Sequence, residues 1–206
     1  MHPNPAYRGA TRDHNITFAR DQGFGMLAVS GPDGPAISHI PFLLSDDGSA
    51  AEFHLVRSNP IVKMLSVPLQ ARLAVQGPHS YISPDWYGVD DQVPTWNYVA
   101  VHLAGRVDLR PVDTLRDLLD RQSAFYEARL LPKPPWTTAK MTPEVLDRMM
   151  RQIVPARMRI DQIDGTWKLG QNKPGDVRLR AACNVAGYGI GNEVQILSAI
   201  MQGASD

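Results

Sequence analysis

The sequence predicts an α+β fold built on a small antiparallel barrel, and three observations predict it. Segments of strand character follow one another from Phe24 to Arg57 with only turn signals between them. A long alternating segment, Thr95 to Leu109, comes next. After Pro111 the spacing of apolar residues turns helical, with one late strand before a helical tail. Strands first and helices afterwards is the order of an α+β fold, and the lack of a helix between the first three strands argues against a doubly wound parallel sheet.

Each element has its own signal. Asp13 is the expected cap of a short helix running to about Gln22, which Gly23 ends. Phe24 to Ser30 and Ala36 to Leu44 form a hairpin across the turn Gly31-Pro32-Asp33-Gly34. Asp46-Asp47-Gly48 turns the chain into a third strand, Glu52 to Arg57. A short helix follows at Pro60 to Leu65, then a fourth strand at Gln70 to Gln76 and a turn-rich stretch from Gly77 to Pro94. In the fifth strand, Thr95 to Leu109, Val99, Val101, Leu103 and Val107 share one side, with Trp96, Tyr98, His102 and Arg106 on the other. Val112 to Leu130 is helical, its apolar stripe made of Leu115, Leu118, Leu119, Phe125 and Tyr126. Thr142-Pro143-Glu144 starts another helix, with Thr142 as cap and Pro143 in the first turn. Met158, Ile160 and Ile163 mark the late strand, ending at Asp164-Gly165. The tail after Pro174 reads as helical pieces linked by Gly187 to Gly191, with Asn192 as cap of the last. The whole is expected to be one domain over 1–206: a barrel core of about 24–109 plus a strand at about 156–170, and helical parts at 111–153 and 174–203.

Composition narrows the function. The chain has 206 residues, in which 21 Lys and Arg balance 21 Asp and Glu. No global attraction to nucleic acid or anionic membrane follows from that balance. One cysteine, Cys183, supplies neither a disulfide nor a zinc site, and its small-residue surroundings suggest a buried, inert thiol. No segment approaches the about 20 apolar residues of a membrane helix, and the polar start has no signal-peptide core, so a cytoplasmic protein is expected. Asn15-Ile16-Thr17 matches a glycosylation sequon by chance.

Two regions carry chemistry. At Arg57-Ser58-Asn59-Pro60-Ile61-Val62-Lys63 a strand hands over to a helix. Ser58 or Asn59 can cap it, first-turn amides attract anions, and Arg57 and Lys63 add charge, so a phosphate monoester fits. An ordinary capped helix with two solvated cations is the bland alternative. Around Tyr81, Ser83, Trp86, Trp96, Asn97 and Tyr98, aromatic rings mix with amide and hydroxyl groups, which suits a flat heteroaromatic ring with polar edges. Packing at a barrel mouth explains Trp86 and Tyr98 as well. His39, His54, His79 and His102 lie on strands without metal-ligand spacing, and no nucleophile elbow is present.

Several motifs taken together resemble the FMN-binding negative transcriptional regulators of the PaiB type. They are Ser38-His39-Ile40-Pro41, His54-Leu55-Val56-Arg57 with Asn59-Pro60, Gly77-Pro78-His79, Tyr81-Ile82-Ser83-Pro84, Trp86-Tyr87, Val93 to Tyr98, and Trp167-Lys168-Leu169 with Gln171-Asn172. The resemblance implies an antiparallel split β-barrel with peripheral helices and a helical C-terminal extension. It implies a homodimer with FMN between subunits. Arg57, Ser58, Asn59 and Lys63 then match the phosphate region, and His54, Tyr81, Ser83, Trp96, Asn97 and Lys168 match motif positions near the cofactor. Two departures stand out: Asp90-Asp91 replaces basic residues in the loop Gly88 to Gln92, and Gly170 replaces serine.

Three functional readings follow. The first is an FMN-binding regulator that lowers expression of target genes. The second is an FMN-dependent oxidoreductase, similar to flavin reductases or pyridoxamine phosphate oxidases, in which the flavin carries the chemistry. The third is a split barrel that binds haem or another flat cofactor through its histidines. Direct DNA binding is not supported by the charge pattern, since Arg116, Arg121 and Arg129 alternate with Asp113, Asp117, Asp120 and Glu127. The only basic cluster, Arg148, Arg151, Arg157 and Arg159, reads as a solvated face.

Overall fold

A computed structural model of the chain describes residues 1–32 and 34–204. Asp33, in the first predicted turn, lies outside them. The elements in order are α1 (Arg12–Gln22), β1 (Phe24–Gly31), β2 (Gly34–Pro41), β3 (Leu43–Leu44), β4 (Ala50–Val56), α2 (Pro60–Met64), β5 (Leu69–Ile82), β6 (Thr95–Leu109), α3 (Leu115–Glu127), α4 (Pro143–Met150), β7 (Ile153–Lys168), α5 (Gly175–Tyr188), β8 (Gly191–Asn192) and α6 (Val194–Gly203). The strands form one eight-stranded sheet in the order β2-β1-β5-β6-β7-β4-β3, with β8 paired to β5. The α+β antiparallel fold with peripheral helices and a helical C-terminal extension is the one the sequence predicts.

The chain divides into two compact units. Unit 1 comprises Met1–Phe18, Val75–His102 and Ile163–Asp206; unit 2 comprises Ala19–Ala74 and Leu103–Gln162. In unit 2, β1 pairs with β2 from Phe24↔Pro41 to Gly31↔Gly34, and β4 pairs with β7 from Ala50↔Arg159 to Val56↔Ile153. Leu27, Phe42, Phe53, Leu55, Leu73, Leu103 and Met158 are buried in this unit. Each such side chain contributes about 1.5–3 kcal/mol by leaving water. In unit 1, α5 and α6 bury Ala181, Ala182, Val185, Leu197 and Met201 against Ile82, Val99, Trp167 and Leu169.

Several boundaries move for physical reasons. Thr11, not Asp13, caps α1, its Oγ1 accepting from the His14 N–H at 3.2 Å. Gly23 ends the helix in the left-handed region at φ +62°. The second predicted strand breaks at Phe42, whose N–H turns to the Gly23 carbonyl at 2.8 Å. The stretch expected to be irregular from Gly77 onward instead extends β5 to Ile82. Gly77 permits this, because a Cβ there would lie 2.5 Å from the Phe18 ring. The glycine link at 187–191 runs into β8, in which Gly191 stands opposite Ser80. Glu193, rather than Asn192, precedes the last helix, in a left-handed conformation. Cys183 is exposed, not buried: on α5 the neighbouring Ala181 and Ala182 face inward and the thiol faces out.

Candidate functional site

The phosphate-side residues belong to unit 2. β4 ends at Val56, and Asn59 opens α2 with its Oδ1 accepting from the Ile61 N–H at 2.9 Å. Its amide nitrogen donates to Ser38 Oγ on β2 at 3.0 Å, which fixes the corner. The helix has five residues, and its first-turn donors are spent: Pro60 has none, Ile61 bonds the Asn59 side chain, and Val62 bonds the Asn59 carbonyl. Any anion here is held by side chains, not by helix amides. Arg57 is exposed and clamped, its Nε donating to the Arg151 carbonyl at 2.9 Å and an Nη to the Ile153 carbonyl at 3.3 Å. Ser58 and Lys63 are exposed.

His54 sits two residues before Val56 on the face of β4 that looks toward α3. Burial pulls its imidazole below the ordinary histidine range, the neighbouring Gln122 opposing. The buried Gln122 is a residue that the apolar stripe of α3 passed over, although it lies seven positions after the buried Leu115.

The ring-side residues belong to unit 1. Trp96 is 46% exposed at the head of β6. Its ring meets Tyr81 edge-on at 6.3 Å between centroids and lies 5.9 Å from His79. Lys168, near the end of β7, donates to Thr95 Oγ1 and to the Trp96 carbonyl, the latter at 2.8 Å, and so secures the start of that strand. Burial holds its ammonium below the ordinary lysine range, with Lys173 adding to the shift. Ser83 starts the short turn Pro84–Tyr87, its carbonyl accepting from the Trp86 N–H at 3.2 Å.

Asn97 faces the opposite side of β6 from Trp96. It is 1% exposed, with its Nδ2 3.6 Å from Met201 Sδ on α6. A Cβ on Gly170 (φ +89°) would stand 3.7 Å from the same nitrogen. The alternation of Val99 and Val101 with Tyr98 already places Asn97 on the inward face.

The late motif has a bracing role. Gln171 accepts from the Leu169 N–H at 2.8 Å and donates to the Trp167 carbonyl at 2.5 Å. Trp167 Nε1 donates to Asn15 Oδ1 at 2.8 Å, and Asn15 is buried. The sequon residue is thus a core hydrogen-bond partner. Among the described residues no group of three or more His, Cys, Asp or Glu side chains gathers to hold a metal.

The chain is similar to known proteins in family, in sequence and in fold. The model of the family described as "Putative FMN-binding domain" matches residues 1–162. The Protease synthase and sporulation protein PAI 2 of Bacillus subtilis is 30% identical over 172 residues, which cover 82% of each chain. Among solved structures, an FAD and heme binding protein from Mycobacterium smegmatis aligns with a TM-score of 0.58 at 14% identity, covering 90% of this chain and 82% of that one. A conserved hypothetical protein from Mycobacterium tuberculosis aligns with a TM-score of 0.56 at 16% identity, covering 82% and 92%.

Proposed function

The chain belongs to this FMN-binding domain family, and from that premise we propose that it binds FMN between two copies of itself and serves as a negative regulator of gene expression. The family name and the flavin recorded in the name of the Mycobacterium smegmatis neighbour support a flavin.

The observation that carries the reading is the corner after β4. Ser58 and Lys63 stand exposed beside a clamped Arg57, with Asn59 holding the backbone. A hydroxyl donor and two fixed-sign charges suit a phosphate monoester. In unit 1, Trp96 and Tyr81 offer aromatic surface to a flat ring, with Ser83 nearby in sequence and Lys168 fixing the Trp96 backbone. Asn97 supports that strand from inside. Bound FMN would supply one- or two-electron redox chemistry. The chain's own part is to bind the phosphate, to shield one ring face and to keep the lysine ammonium anchored.

The dimer is supported by exposed apolar side chains near the ring-side residues. Ile190 is 66% exposed, and its carbonyl accepts from the Tyr81 N–H. Regulation by an indirect route is favoured by the charges: on α3, Arg116 pairs with Asp120, and Arg121 with Asp117 and Glu52. Those cations are spent on carboxylates rather than offered to a nucleic-acid backbone. Among the described residues no helix is long and apolar enough to cross a membrane, and a cytoplasmic location is part of this reading.

The test is a comparison of FMN with riboflavin. Wild-type protein should bind FMN more tightly, and Arg57→Ala with Ser58→Ala should narrow that preference. Equal loss for both ligands would remove the phosphate assignment.

A further inference from the structure

Unit 1 holds a cavity of about 790 Å³. None of the residues assigned to flavin above lines it. Part of its wall is core: Trp167 and Leu169, both buried at the end of β7, with the half-buried Ile200 of α6 packed on the same cluster. Trp167 and Lys168 are consecutive in β7, so their side chains leave opposite faces of the strand. The cavity is on the indole's side, and the Trp96 carbonyl that Lys168 holds is on the other.

The rest of the lining is small. Ala6, Gly9 and Ala10 come from the segment ahead of α1, and Gly203 and Ala204 from the end of α6. A Cβ built on Gly9 or on Gly203 meets nothing within 4 Å, so the space is open at both positions. The core side is fixed: Trp167 Nε1 donates to Asn15 Oδ1 at 2.8 Å, and Gln171 accepts from the Leu169 N–H at 2.8 Å and donates to the Trp167 carbonyl. The volume falls within the range of small-molecule sites, about 300–1,000 Å³.

The lining selects the ligand. Among the described residues no Lys, Arg, Asp or Glu lines the cavity, so an ion entering it would lose water without gaining a partner. Three lining side chains carry polar atoms, and those of Trp167 and Gln171 are spent on Asn15 and on the backbone. His14 remains. Its ring lies 4.2 Å from that of Trp167, centroid to centroid, and its imidazole makes no hydrogen bond to another described residue. One hydrogen-bonding group among apolar and aromatic walls suits an apolar ring compound with one polar substituent. A flavin ring carries several hydrogen-bonding atoms along one edge, which a single imidazole leaves unmet.

We propose that this cavity binds an uncharged aromatic compound of two or three fused rings bearing one hydroxyl group, its rings packed against Trp167, Leu169 and Ile200 and its hydroxyl hydrogen-bonded to the His14 imidazole.

The experiment is equilibrium dialysis of the full chain against 2-naphthol, naphthalene and naphthalene-2-carboxylate at neutral pH. The naphthol should bind saturably, about fivefold more tightly than naphthalene, and the carboxylate should not bind. His14→Ala should bring naphthol and naphthalene to the same affinity, a ratio that lost packing alone does not move. Gly203→Leu and Gly9→Leu should each weaken naphthol binding about tenfold or more by filling the space; either decides the matter should the other not fold. Saturating FMN should leave the naphthol bound. No saturable binding, a hydroxyl preference that survives His14→Ala, full affinity in both glycine variants, equal binding of the carboxylate, or displacement by FMN would overturn the proposal. So would naphthol binding that disappears as the protein dimerises, because a second copy would then fill the cavity.

Discussion

Lys63, Asn15 and His54 show three different uses of a polar side chain. Lys63 is exposed. Lys63→Met should therefore leave stability within about 0.5 kcal/mol and lower FMN affinity about tenfold, with riboflavin unaffected, as measured by quenching of flavin fluorescence. Asn15 is the reverse case. Its Oδ1 is the acceptor for the buried Trp167 indole, and a Cβ on Gly165 would lie 2.0 Å from that oxygen. Asn15→Leu should cost about 1–3 kcal/mol in a denaturant melt, because the indole N–H keeps its burial and loses its partner. For His54, burial lowers the folded-state value below the ordinary 6.5. The unfolded chain then binds the proton more readily, so stability should fall as pH drops through about 6.5 toward the lowered folded value. His54→Gln should remove part of that fall; an unchanged pH profile would contradict the assigned burial.

At the scale of elements, β6 was the most legible and β5 the least. In β6 the apolar residues recur at every second position, and Val99, Val101, Leu103 and Val107 are all fully buried over the predicted span, Thr95–Leu109. In β5 a glycine and a proline hid six further strand residues, because the partner that makes Gly77 necessary, Phe18, is remote in sequence. The same remoteness hid Gln122: its surroundings come from β4, and periodicity alone expects an apolar side chain there. Cofactor-region motifs were visible as residue types, but not as directions. The sequence placed Trp96 and Asn97 side by side; the pleat sends one outward and the other under α6. Gly105 belongs to the same scale. A Cβ there would stand 1.9 Å from the Arg159 carbonyl of β7. Gly105→Ala should force the two backbones apart and cost about 1–3 kcal/mol or more, readable as a lowered melting temperature.

For the whole molecule, the balance of 21 basic and 21 acidic residues is a statement about partners. Ion pairs on α3 and α5 neutralise much of the exposed charge locally, including Arg180 with Asp176. A chain so balanced fits small-molecule recognition better than a strand of nucleic acid. If two copies associate through the exposed apolar residues of unit 1, Ile190→Asp should convert a dimer to a monomer in sedimentation equilibrium. The central claim is that the chain binds flavin and holds its phosphate after β4. Its most direct test is an equilibrium titration of the purified protein with FMN, read by absorption and flavin fluorescence beside a riboflavin control. Saturable binding of FMN, tighter than that of riboflavin, is the expected result. Flavin that stays spectrally free at every protein concentration, or riboflavin bound as tightly as FMN, would contradict it.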